Sequence, residues 1–298
     1  MKKSFFLLVL AVVATAQAQK VEVTDVLALK TSTPMYYPQL NLDGSQLLLT
    51  NESYNGLFLF DVNTQKSQVI SNDANAGYEP IFNIDGSKLF FRCALENNGR
   101  RFTSVKTYNV GAKKEQVVME AQRNVGRLQQ YENGVIVAKD AKLFKATFGK
   151  KSATVPTYVS NEDLKLVLYK NGIRKELNPY KEDVNYIWSS ISPDGSKILF
   201  NSKYGTAVCD LNGKILKNLG SLNAPVWFND NLVVGMYDKD NGDFITASTI
   251  AIVSLDGKLN QTLTDGQEIA MYPSVATKSH KIAYNTLDGK VYIMTIKL

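Results

Sequence analysis

Glu79-Pro80-Ile81-Phe82-Asn83-Ile84-Asp85-Gly86-Ser87-Lys88-Leu89 repeats, 42 residues on, the stretch Tyr37-Pro38-Gln39-Leu40-Asn41-Leu42-Asp43-Gly44-Ser45-Gln46-Leu47. A third copy, Trp188-Ser189-Ser190-Ile191-Ser192-Pro193-Asp194-Gly195-Ser196-Lys197-Ile198, keeps the turn and replaces the first proline with Ser189. Degenerate copies run from Pro225 to Asp230-Asn231 and from Pro273 to Lys278-Ser279-His280. A period of this length is the mark of a repeat architecture. Asp-Gly supplies the backbone freedom of a tight hairpin. The apolar runs that follow, Leu47-Leu48-Leu49, Leu89-Phe90-Phe91 and Ile198-Leu199-Phe200, are buried strands. Second hairpins turn at Asp61-Val62-Asn63, Asn109-Val110-Gly111, Leu211-Asn212-Gly213 and Leu255-Asp256-Gly257, so each unit is a four-stranded meander.

The fold class is therefore all-β, a six-bladed β-propeller of four-stranded antiparallel blades. Between the second and third clear copies lie 109 residues, with hairpins at Leu128–Val137 and Leu164–Gly172. Reading that region as one expanded unit gives six blades at about 47 residues each, as propeller repeats require. Reading it as two units gives seven, the alternative. The last unit holds three strands before Leu298, and Val21–Leu29 is expected to supply the fourth and close the ring.

The Pro-x-x-x-x-Asp-Gly-Ser-Lys-Ile pattern resembles the propeller repeat of the TolB-like, WD40-like family, also found in the propellers of prolyl-oligopeptidase-type peptidases. The resemblance implies a propeller and leaves function open, because this fold hosts binding proteins, lyases and peptidase gates. TolB itself carries an N-terminal α/β domain that this sequence is expected to lack.

Lys2 and Lys3, the apolar run Phe5–Ala16 and the small residues of Ala16-Gln17-Ala18 read as a cleavable signal peptide spanning 1–18, followed by a single propeller domain spanning 19–298. About a dozen apolar residues are too few to span a bilayer, which takes roughly 20. No cysteine stands near the cleavage point for lipid attachment. The expected location is periplasmic or secreted.

Composition narrows the chemistry. With 44% hydrophobic and 21% charged residues the 298-residue chain is a folded protein. One histidine and two cysteines exclude Cys/His zinc sites. Cys93 and Cys209 are expected as two buried free thiols rather than a disulfide, and no metal or cofactor is expected. Without the leader the net charge is +4, and the lysines Lys139, Lys142, Lys145, Lys150 and Lys151 are interrupted by Asp140 and lack interleaved aromatics. They read as a solvated strand edge, so nucleic acid is not an expected partner.

A site is expected on the face opposite the Asp-Gly turns, where the longer loops lie. Its inner ring is the residue before each aligned proline: Tyr37, Glu79, Arg127, Trp188, Ala224 and Tyr272. The long segments Ala94–Phe102, with Arg100 and Arg101, and Tyr237–Phe244, with Asp238, Asp240 and Asp243, flank the same face. The functional reading is a pocket for a peptide or glycan, with stacking faces from Tyr37, Trp188 and Tyr272. The structural reading packs those rings between blades and pairs Glu79 with Arg127. There is no G-x-S-x-G elbow, and His280 lies in a turn on the other face, so a Ser/His/Asp triad is excluded. The expected function is a non-catalytic exported propeller that binds a protein, peptide or envelope polymer. The alternatives are a glycosidase or lyase pairing Glu79 with Asp238, Asp240 or Asp243, and a structural subunit that uses a blade edge.

Overall fold

The computed structural model describes residues 20–148 and 156–298. The signal peptide, Lys150 and Lys151 lie outside the described residues. Strands β1 (Glu22–Ala28) to β26 form seven antiparallel sheets. Blade 1 is β2 (Tyr36–Leu40), β3 (Gln46–Thr50), β4 (Leu57–Asp61) and β5 (Lys66–Ser71). Blade 2 is β6 (Ile81–Phe82), β7 (Lys88–Asn97), β8 (Arg100–Asn109) and β9 (Lys114–Gln122). Blade 3 has, among the described residues, β10 (Val125–Tyr131), β11 (Gly134–Lys139) and β12 (Lys142–Ala146). Blade 4 likewise has β13 (Tyr158–Glu162), β14 (Lys165–Lys170) and β15 (Ile173–Leu177). Blade 5 is β16 (Tyr186–Ile191), β17 (Lys197–Ser202), β18 (Gly205–Asp210) and β19 (Ile215–Gly220). Blade 6 is β20 (Asn223–Trp227), β21 (Leu232–Asp240), β22 (Ile245–Ser254) and β23 (Asn260–Thr262). Blade 7 is β24 (Ala270–Ala276), β25 (Lys281–Thr286) and β26 (Val291–Lys297), completed by β1.

The protein is a β-propeller of seven blades, which corrects the count of six. The region read as one expanded unit is two three-stranded sheets, β10–β12 and β13–β15. N-terminal closure holds: β1 pairs antiparallel with β26 from Glu22↔Lys297 to Ala28↔Tyr292. The side chain of Gln261 fastens the start of this strand, accepting from Val21 N at 3.0 Å and donating to Val21 O at 2.7 Å.

The core follows from the blade geometry. A sheet between two other sheets buries both faces, so its second strand reads as an unbroken apolar run. Seven buried clusters are found among the described residues, one for each junction between neighbouring blades. The largest joins blades 6 and 7, where Val234, Met236 and Ile252 meet Ile282, Met294 and Ile296. The smallest joins blades 3 and 4 through Ile136, Ala138, Tyr158, Val167 and Tyr169. Cys93 and Cys209 are both buried and unpaired, in blades 2 and 5.

Three strands, unlike four, leave the chain on the opposite face from where it entered. Blade 3 enters from the long-segment face, here called the upper face, and its last strand ends on the lower face. Blade 4 consequently runs upside down. Gln129, low on β10, donates to Thr157 O beside the start of β13 (2.8 Å), whereas Asn161 near the end of β13 accepts from Ser189 N at 3.1 Å, near the upper end of β16. The β13–β14 turn is also high, since Leu164 O accepts from Tyr186 N at 2.7 Å. Three further strands return the chain to the upper face, and blade 5 resumes the normal direction.

The Asp-Gly turns differ from simple two-residue hairpins. Asn41 N donates to Gln46 O, leaving a four-residue loop in which Gly44 alone takes a positive φ, 69°. Asp43 instead accepts from Ser45 N at 2.9 Å, and Asp85 and Asp194 repeat the bond with Ser87 and Ser196.

Candidate functional site

Each regular inner strand except that of blade 2 carries a bulge near its upper end, placed between Tyr36 and Gln39, Val125 and Leu128, Ile187 and Ser190, Asn223 and Val226, and Met271 and Ser274. A bulge re-aims the side chain at its apex. Tyr37, Glu79, Trp188, Ala224 and Tyr272 have φ between 43° and 53°, a region that costs an L-residue roughly 1–2 kcal/mol. Such strain persists only where the surroundings hold it. Here they do: Tyr37 N donates to the buried Asn285 Oδ1 of blade 7 at 3.0 Å, and Ser189 N to Asn161 of blade 4.

All six ring residues named from the sequence, Tyr37, Glu79, Arg127, Trp188, Ala224 and Tyr272, line one cavity of about 250 Å³ with Tyr54, Tyr78 and the ring prolines Pro80, Pro225 and Pro273. They come from the six blades of normal direction. Blade 4, inverted, presents no such apex. Arg127 crosses in front of it, and its Nη1 donates to Ser189 O of blade 5 at 2.7 Å.

The wall from blade 7 to blade 2 is a chain of phenols. Tyr37 lies 4.7 Å from Tyr272 and stacks on Tyr54 at 4.2 Å, and Tyr54 meets Tyr78 edge-on at 5.0 Å. Burial pushes the Tyr54 and Tyr272 phenols up, with Tyr37 adding to both; the Glu79 carboxylate does so for Tyr78, with burial second. Tyr54, Tyr78 and Tyr272 therefore remain neutral hydroxyls at physiological pH. Trp188 stands apart from the buried clusters, half-exposed in the cavity wall.

Charged groups stand on both sides of the cavity. On the side of blades 2 and 3, Glu79 is held by Arg92 at 3.1 Å and Arg127 at 3.4 Å. Arg92 is nearly buried, donates to Gly126 O at 2.9 Å and lies over the Tyr78 ring at 5.1 Å. Arg101, together with these two arginines, acts electrostatically on Tyr78. On the far side, Asp238 faces Tyr272 and accepts from Asn223 Nδ2 at 2.7 Å. In a ring of seven, blade 3 stands opposite blades 6 and 7. Charge in the cavity lining is thus confined to Glu79 and Arg127, with Arg92 bonded to Glu79 from outside the lining and Asp238 likewise outside it, beside Tyr272.

The two segments read as long loops are strand hairpins. Arg100 and Arg101 belong to β8, Asp238 and Asp240 to β21, and Asp243 to the β21–β22 tip. Arg100, Arg101, Asp240 and Asp243 are exposed on these arms, Asp238 is half-buried, and none of the five lines the cavity. Glu79 and Arg127 do pair, as the structural reading expects, and Tyr272 packs against the blade 6–7 cluster as well as lining the cavity, whereas Tyr37 and Trp188 line the cavity without joining a buried cluster. Among the described residues no group of three or more His, Cys, Asp or Glu side chains comes together as a metal site. Sequence reasoning missed Tyr54, Tyr78 and Arg92. The only signal for Arg92 is a charge directly following the buried run Leu89-Phe90-Phe91.

Fold and site together define a β-propeller with a ring-shaped funnel at one end. No family model matches the sequence, and neither does any curated protein. Among solved structures, the chain is similar to one chain of a mitotic checkpoint complex, at 10% identity over 99% of this chain and 98% of that one, with a TM-score of 0.64. It is similar to TolB from Acinetobacter baumannii at 20% identity over 83% of this chain and 58% of that one, TM-score 0.52. It is also similar to oligogalacturonate lyase from Vibrio parahaemolyticus at 13% identity over 90% and 79%, TM-score 0.50. Identities this low speak to the fold.

Proposed function

We propose that this protein is an exported, non-catalytic binding module that takes a peptide segment of another envelope or secreted protein into the upper funnel. One observation carries the reading: six blades each spend a strained or bulged position on aiming a side chain into a single cavity, and most of those side chains are aromatic or charged. Stacked tyrosines give contact area at low entropic cost, their hydroxyls reach backbone carbonyls, and the charges of Glu79 and Arg127 orient a chain laid across them. The carboxylate geometry weighs against the glycosidase or lyase alternative. Glu79 is gripped by two arginines and Asp238 is engaged on the far side, whereas glycoside hydrolysis needs two carboxyl groups flanking one bond.

The test is a titration monitored by Trp188 fluorescence with the segment that the tagged protein captures from envelope extract, repeated with Trp188→Ala followed by calorimetry. Trp188 belongs to no buried cluster, so the variant is expected to stay folded by circular dichroism and to lose about tenfold or more in affinity. Equal affinity in the variant refutes the funnel as the binding face.

A further inference from the structure

Among the described residues, blades 3 and 4 alone lack the outer fourth strand that the other five possess. At blade 4 the vacancy borders a groove of about 680 Å³ on the lower face, between β14–β15 and the Asp194-Gly195-Ser196 and Asp210-Leu211-Asn212 turns of blade 5. Its apolar lining is Leu168, Ile173 and Leu211. Ile173 is 68% exposed, an isoleucine that nothing covers. Lys170 and Lys175 stand on the same face of the β14–β15 ladder, cross-strand neighbours of Ile173 and Leu168, and make no ion pair among the described residues. The facing acids are already engaged. Asp194 is bound to Ser192, Ser196 and Lys197, and Asp210 accepts the backbone N–H groups of Asn212 and Lys214.

We propose that the open edge of β15 receives an extended acidic segment of another polypeptide as the missing fourth strand of blade 4. Strand addition supplies affinity through main-chain hydrogen bonds and specificity through alternate side chains. On β15, Ile173 and Lys175 line the groove, and Leu177 follows on the same face of the strand, buried in the blade 4–5 cluster. An antiparallel guest strand therefore places a β-branched residue opposite Ile173, a carboxylate opposite Lys175 and a small apolar residue opposite Leu177. Edge lysines discourage pairing with neutral or basic strands. The same two charges select an acidic one. This surface is independent of the funnel.

The probe is the capped peptide Ac-Thr-Val-Thr-Asp-Thr-Val-Thr-NH2, with a partner peptide carrying Lys in place of Asp and two versions N-methylated at alternate residues. Binding to the full chain is followed by calorimetry and by amide exchange. The acidic peptide is expected to bind and to slow exchange across β15 at least tenfold, and the Lys peptide to bind at least tenfold more weakly. Only one of the two N-methylated versions should retain binding, because an added strand bonds through one of its edges. Lys175→Glu, at an exposed position, should reverse the preference between the two peptides. The Tyr37, Trp188 and Tyr272 alanine variant should bind the probe unchanged. No binding at millimolar peptide, equal loss with both N-methylated versions, a preference that Lys175→Glu leaves intact, or protection at the funnel or another blade's edge each overturns the proposal.

Discussion

Arg92 shows how one side chain ties the cavity wall to the core. It emerges from the most apolar run in blade 2, bonds the Gly126 carbonyl of blade 3, holds Glu79 and lies over Tyr78. Arg92→Met removes the donor and leaves the bulge of β10 and the Glu79 carboxylate without it. Glu79 is partly exposed and keeps Arg127, so the loss is about 1–3 kcal/mol, and urea denaturation should show a lower midpoint at unchanged slope. The ring residues themselves were legible from the sequence, because the aligned repeat sets them at a fixed step before the turn. Proline stands next to Tyr37, Glu79, Ala224 and Tyr272, and Leu128 and Ser189 take its place next to Arg127 and Trp188. Arg92, Tyr54 and Tyr78 were not. Their roles depend on contacts between a blade and its neighbour, and a repeat aligned only to itself carries no record of which strand faces which.

At the scale of strands, the blade count turned on which signal was followed. The Pro and Asp-Gly pattern marks only blades whose inner strand enters from above, and it faded where blade 3 diverged and blade 4 turned over. The second strands carry a steadier signal. Runs such as Val135-Ile136-Val137 and Leu166-Val167-Leu168 are as apolar as Leu47-Leu48-Leu49, because burial on both faces demands it whichever way the strand points. Counting those runs gives seven. Among the described residues blades 3 and 4 share the smallest junction and lack outer strands, so their opening needs less surface exposed than that of any other pair. Native-state hydrogen exchange should find the amides of β11 and β14 exchanging at a lower opening free energy than those of β21 and β25. Equal protection of all four would show that the ring opens only as a whole.

For the whole molecule, aspartates capped within turns set the response to acid, four of them on the lower face and Asp288 on the upper. Hydroxyl groups of neighbouring residues, Ser45, Ser87, Ser192, Ser254 and Thr286, together with backbone N–H groups, hold Asp43, Asp85, Asp194, Asp256 and Asp288 below the usual carboxylate range. In the unfolded chain the same groups titrate near about 3.9. Above that pH both states are ionised and the turn bonds contribute fully. As pH falls below about 4 the unfolded state takes up protons first and the contribution drains away. Thermal melting should show a midpoint that drops steeply below about pH 4, less so when Asp43, Asp85 and Asp194 are replaced together by Asn. The paired three-stranded blades bear on how such a ring changes over evolutionary time. They behave like two compensating frameshifts in a gene: either alone would send every later blade in inverted and turn Trp188, Ala224 and Tyr272 away from the funnel, whereas together they restore the reading. A lineage can thus lose or regain outer strands here only two at a time, unless the missing strand arrives from a second molecule, which leaves the frame untouched.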